Sequence, residues 1–155
     1  MKKIGLIALL ALTVLATGCS GQKINSEIQD AVVYDPGYEI QIIQDKETRT
    51  GFLDAVTAWM DQNGYQYTVD QEGAKHDNDK LTVEYVGYWN WDMATYLNYS
   101  KIEGFNQGQR VRQIEFSSGN LPSKFGNSEK RIQLMLDVMF GRKTVEEAGD
   151  KASDE

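Results

Sequence analysis

Tyr38-Glu39-Ile40-Gln41-Ile42 alternates apolar and polar side chains, the two-residue period of a half-buried strand. Directly downstream the period changes. Phe52, Val56, Trp59 and Met60 recur at helical spacing with Leu53 beside them, and they predict a helix over residues 48–63. At 100° per residue these side chains fill an arc of about 120°, the width of one face packing on a sheet. Gly64 supplies the C-terminal stop. Tyr65-Gln66-Tyr67-Thr68-Val69 then returns to the period of two and reads as a second strand.

Working outward, residues 70–80 are polar and contain Gly73, His76, Asp77, Asn78 and Asp79, the composition of a loop joining two strands. Leu81, Val83 and Tyr85 mark a third strand, and residues 93–102 a fourth, with a break over residues 87–92. Asn106-Gln107-Gly108 is a turn signal, and residues 109–117 form a fifth strand. After a Gly-, Pro- and Ser-bearing loop, residues 128–140 predict a second helix, capped by Asn127 or Ser128 and ended by Gly141. Strands joined by short polar turns pair antiparallel. The expected fold is therefore α+β: a mostly antiparallel sheet of about five strands with two helices on one face, in the order strand, helix, four strands, helix. Residues 37–141 make this domain, and the polar residues 142–155 are expected to fray.

The N-terminus carries a different kind of information. Lys2 and Lys3 precede an apolar run from Ile4 to Ala16. As a helix that run spans about 20 Å, short of the hydrocarbon core of about 30 Å, so an export signal fits better than a permanent span. The sole cysteine follows at once, in Leu15-Ala16-Thr17-Gly18-Cys19. This stretch resembles the lipobox of bacterial lipoproteins, except that Ala16 stands where Leu or Val is usual. The resemblance implies cleavage after residue 18, a diacylglycerol thioether on Cys19 and an acylated amino terminus. Ser20, rather than Asp, follows the cysteine, which in this family implies residence in the outer membrane, facing the periplasm. Residues 19–36 then form the lipidated start and a tether, with an r.m.s. span of about 23 Å if flexible. Ile24, Ile28, Val32 and Val33 could dock part of it as a short helix or early strand.

Composition bounds the function. The 155 residues hold 16 Lys and Arg against 23 Asp and Glu, a net charge of −7. Loss of residues 1–18 would leave 137 residues and, without Lys2 and Lys3, a charge of −9. Such a body lacks the clustered cations that nucleic acid requires, so no nucleic-acid partner is expected. One cysteine and one histidine exclude an internal disulfide and a Cys/His zinc cluster within the chain. No GxSxG, HExxH or phosphate-cradling glycine loop occurs, and neither enzymatic activity nor a cofactor is expected.

Two surfaces stand out. The first is the aromatic run Tyr85, Tyr88, Trp89, Trp91, Tyr96 and Tyr99, which strand alternation divides between two faces. Such rings serve a core or stack on a sugar or a partner, and Trp89 and Trp91, flanking Asn90, are the expected exposed members. The second is the last helix, where Ile132, Leu134, Met135, Leu136, Val138, Met139 and Phe140 spread over an arc of about 240°. The chain itself or another protein must cover the surplus, and Leu134 and Val138 are its markers. Two weaker constellations accompany these. His76-Asp77-Asn78-Asp79 reads as a solvated turn rather than a metal site, and Arg110 and Arg112, two apart on a strand, are expected on one face and paired with acids.

The expectation is a membrane-anchored, non-enzymatic envelope lipoprotein whose domain binds another envelope component, with a protein favoured. A glycan- or small-molecule-binding lipoprotein, an inhibitor or self-protection protein, and a purely structural role are the alternatives.

Overall fold

The computed structural model describes residues 22–30, 32–119 and 122–153. The signal segment 1–18 and Cys19 lie outside the described residues.

Among the described residues, six strands and three α-helices follow one another as β1 (Lys23–Ile28), β2 (Glu39–Ile43), α1 (Thr50–Gln62), β3 (Gln66–Asp70), β4 (Leu81–Asp92), β5 (Ala94–Asn106), β6 (Gln109–Ser117), a 3₁₀ turn (Pro122–Phe125), α2 (Ser128–Met139) and α3 (Val145–Ser153). All six strands join one sheet in the order β1-β6-β5-β4-β2-β3. The class is α+β, with a sixth strand and a third helix beyond those expected. The sheet is also mixed: β1, β6, β5 and β4 are antiparallel neighbours, whereas β2 runs parallel to both β4 and β3.

The parallel part has a topological cause. Strand, helix, strand over residues 39–70 is a crossover unit, and the chain must then pass β2 again to place β4 on its other side. Residues 71–80 make that second crossing without a helix. The side chain of Gln41, buried in the middle of β2, pins them. Its Nε2 donates to Asp70 Oδ2 (2.6 Å) and Lys75 O (3.0 Å), while its Oε1 accepts from Asp77 N–H and Thr82 Oγ1–H (both 2.8 Å). The polar loop expected to be solvated is thus fastened across β2. His76 packs at a tilt against Phe105, with centroids 4.5 Å apart, and its Nε2 sits 2.8 Å from Glu84 Oε1.

Both long helices end as the glycines foretell. Gly64 and Gly141 adopt φ of 76° and 72°, and the next N–H groups, of Tyr65 and Arg142, reach back to Met60 O and Asp137 O. Asn127 caps α2 by accepting from Lys130 N–H. Between the helices and the sheet lies one core, in which Phe52, Val56, Trp59 and Met60 of α1 and Ile132, Met135, Leu136 and Met139 of α2 meet Ile40, Ile42, Val83, Ile102, Ile114 and Phe116.

Part of the tether docks on the domain as an early strand, and the tail expected to fray is built in as a helix. Residues 23–28 pair with β6 as an edge strand with Ile24 buried, and Tyr34 packs edge-on against Phe140. Residues 145–153 form α3 rather than a frayed tail. Thr144 and Glu147 exchange hydrogen bonds in a capping box, and Ala148 and Ala152, four apart, are buried. α1, α3, β1, β5 and β6 together cover α2, which disposes of its surplus apolar width.

The arginines correct another expectation. The pairing of β5 with β6 shifts between Gly104 and Phe105, so Arg112 faces Gly104 and Arg110 faces Phe105 with Val111 as the extra residue. Arg110 stays on the surface with Glu103 (3.0 Å) and Glu27 (3.6 Å). Arg112 turns inward, beneath Tyr34, and donates to the carbonyls of Met139, Asp30 and Val32. Among the described residues, no helix is long and apolar enough to cross a membrane.

Candidate functional site

The structure separates the residues singled out in the sequence. Leu134 and Val138 are core residues, only 4% and 2% exposed, and present no surface to a partner. The aromatic residues lie on the β4–β5 hairpin, which is continuous through residues 87–92 where a break was expected. Its turn is at Met93, between the paired residues Asp92 and Ala94.

Gly87 marks a crowded point rather than a bend. A Cβ there would come within 2.8 Å of Phe52 and 2.9 Å of Trp89, and the Gly87 N–H donates to Thr48 Oγ1 at 2.9 Å. Trp89 is consequently tied to the core. Its ring meets Phe52 edge-on, with centroids 6.3 Å apart, and the Arg49 guanidinium lies 5.6 Å above it. It is half-buried, not the free ring expected. Trp89 also lines an open depression of about 710 Å³ with Arg49, Thr50, Gly51, Ser128, Glu129 and Ile132, where α1 and α2 begin.

Past Tyr88 the strand register slips, leaving Asn98 as the extra residue of β5. Tyr96 is buried edge-on against Phe125 (5.5 Å), with the Lys124 ammonium 5.1 Å from its ring and in an ion pair with Asp92 (2.6 Å). Tyr99 is half-buried. Its ring stacks on that of Tyr88, with centroids 6.0 Å apart and planes 21° apart, and its hydroxyl donates to Glu115 Oε1 at 3.1 Å. Burial, with the Glu115 carboxylate beside it, pushes the Tyr99 hydroxyl up to about 12, so it stays protonated at neutral pH.

What remains exposed is Tyr88 at 59%, Trp91 at 75% and Met93 at 89%. Met93 was not among the expected site residues. It has φ of 62°, the left-handed region that costs a non-glycine residue about 1–2 kcal/mol. A large apolar side chain kept fully exposed at a strained position calls for a functional reason.

The face of the sheet away from the helices holds a second cavity, of about 300 Å³, lined by Ile43, Asp45, Glu72, Glu84, Val86, Lys101 and Glu103 among others. Its acids are engaged. Glu72 pairs with Lys46 (3.2 Å), Glu84 with His76, Glu103 with Lys101 (2.8 Å) and Arg110, and Asp45 accepts from Thr48 Oγ1–H (2.6 Å). Burial alone would raise the Glu103 carboxyl, but hydrogen bonds and charge from Lys101 and Arg110 outweigh it and hold Glu103 below the usual range. Among the described residues, no three or more His, Cys, Asp and Glu side chains converge as a metal site.

No protein-family model matches the chain, and no curated protein matches it in sequence. In fold it is similar to PelC from Paraburkholderia phytofirmans, solved as the dodecamer of a leucine-to-methionine variant. That likeness has a TM-score of 0.52 at 7% identity and covers 77% of this chain and 95% of the other. A minor lipoprotein of Acinetobacter baumannii overlays more loosely, with a TM-score of 0.32 at 12% identity, over 76% of this chain and 90% of the other. At 7% identity the likeness to PelC is one of fold.

Proposed function

We propose that this chain is a lipid-anchored envelope protein, facing the periplasm from the outer membrane, whose domain binds another envelope component without catalysis. The exposure of Tyr88, Trp91 and Met93 along one projecting hairpin carries this reading. Tyr88 on one face of the hairpin and Trp91 on the other are exposed apolar side chains that the core does not need, and they are available to a partner. The lipobox-like stretch ending at Cys19 supports the anchor.

The flank of the hairpin, Tyr88 with Tyr99 and the sheet below, is the surface offered to a protein partner. A photo-crosslinking residue at position 88, in the lipidated protein in native membranes, should recover one defined envelope protein. Adducts spread over many abundant proteins would defeat the protein-binding reading. The flat stack of Tyr88 on Tyr99 favours a second reading, in which a glycan ring lies on Tyr88. Retention on peptidoglycan fragments that is lost in Tyr88→Ala would establish that alternative.

A further inference from the structure

We propose that the tip of the β4–β5 hairpin, Trp91 and Met93, enters the interface of the same membrane that holds the lipid on Cys19. The domain would then touch that membrane at two places. This inference rests on the lipid-anchor part of the function proposed above.

Strand register is the first argument. Lys23 lies opposite Ser117, Ser117 opposite Tyr99, and Tyr99 opposite Tyr88, so these four residues form one row across the sheet. Running back from Lys23 toward Cys19, the chain leaves the sheet at this row. β4 and β5 continue past the same row in the same direction, as far as the turn at Met93. Met93 is five residues beyond Tyr88, so the tip reaches about 16 Å beyond the row. Cys19 is four residues before Lys23 and lies within about 14 Å of it at full stretch. The chain before Lys23 is therefore long enough for the anchor to reach about the height of the tip at the same end of the sheet.

The chemistry of the tip agrees. Tryptophan, with an apolar ring and one N–H donor, is the residue enriched where hydrocarbon meets headgroups. Met93 adds a flexible apolar side chain, almost wholly exposed. Pairing between the two strands continues to Asp92 and Ala94, one residue from the turn on either side, so entry of the turn alone would take only the outward-facing amides of its last residues from water. Two cations, Arg49 and Lys124, touch the projecting part, and its Asp92 carboxylate is already paired with Lys124. The body as a whole, at −9 after cleavage, is repelled by anionic lipid. This end can approach.

The test uses the mature protein extracted from native membranes, with acylation of Cys19 checked by mass spectrometry. It is reconstituted into phosphatidylethanolamine and phosphatidylglycerol vesicles containing phosphatidylcholine brominated on its acyl chains. Bromine should quench part of the tryptophan emission, and that part should vanish in Trp91→Phe, because Trp59 is buried in the core and Trp89 is held against Phe52. Met93→Asp should weaken the quenching of Trp91. Equal quenching in wild type and Trp91→Phe, with Cys19 acylated, overturns this inference and leaves the anchor standing. A photo-crosslinker at position 91 that captures protein and no lipid also overturns it, assigning the tip to a protein partner. An unacylated Cys19 removes the anchor and this inference together.

Discussion

α2 and the β4–β5 hairpin both carry many large apolar side chains, and these meet opposite fates. α2 is wrapped by α1, α3 and three strands, so that even Leu134 and Val138 are buried. The hairpin shares this cover only as far as Trp89 and Tyr96, beyond which Trp91 and Met93 stand free of it. Neighbours decide the difference, not hydrophobicity. A helix in the middle of a layer is reached from both sides, whereas the ends of β4 and β5 outrun β6 and β1 and pair only with each other. Apolar surface left by that geometry is available for binding, and its loss costs the fold little.

The sharpest way to break this contrast is Phe140→Ala. Phe140 meets Tyr34, Trp59 and Tyr65, and removing its ring from the core should cost about 3–5 kcal/mol, read as a fall in the urea midpoint. Next is Ala148→Leu, which forces volume between α3 and its neighbours and should cost about 1–3 kcal/mol by the same measurement. A negligible cost there would mean that α3 does not seal α2.

A smaller effect is expected from Asp30→Asn. Burial would raise the Asp30 carboxyl, but the Tyr34 hydroxyl, the Val32 N–H and the Arg112 charge together hold it below its usual value. A carboxyl depressed in the folded state adds stability above its unfolded pKa and loses it as pH falls through the folded pKa. Wild type should therefore lose part of its stability below about pH 4, and Asp30→Asn should lose less over that range in pH-dependent urea melts. On the hairpin, Trp91→Ala should change stability by less than about 0.5 kcal/mol. Met93→Gly, which relieves a positive φ, should leave stability unchanged or raise it by up to about 1 kcal/mol. A large loss in either variant would show that the hairpin tip belongs to the fold after all.

The helices were legible because their signals are local: apolar spacing, a glycine at each end, Asn127 as cap. The α3 signal was equally local, in the Thr144-x-x-Glu147 box and the alanines four apart, but its polar composition masked it. The parallel neighbours of β2 were hinted at only by the doubled Ile42-Ile43, since a strand buried on both faces stops alternating. The hairpin turn was hidden. Asp92-Met93-Ala94 contains none of the Gly, Asn or Pro that mark turns, while Gly87 and Asn90 imitate a turn inside a continuous strand. The cover over Trp89 was hidden too, because it comes from Phe52 and Arg49, about forty positions away in the chain. The exposure of Trp91 was readable in the sequence. That of Met93 depends on a backbone conformation methionine rarely adopts.

The pairing of β1 with β6 joins Lys23 to Ser117 across 94 positions of chain. No other neighbouring pair in the described sheet spans so long a loop, and closing it costs more conformational entropy than closing any of the hairpins. With five of its six residues exposed, β1 gains little burial in return. It should thus be the last strand to settle during folding and the first to exchange its amide hydrogens with solvent. In an anchored molecule, this loosely held strand is the one that would bear any pull between membrane and domain.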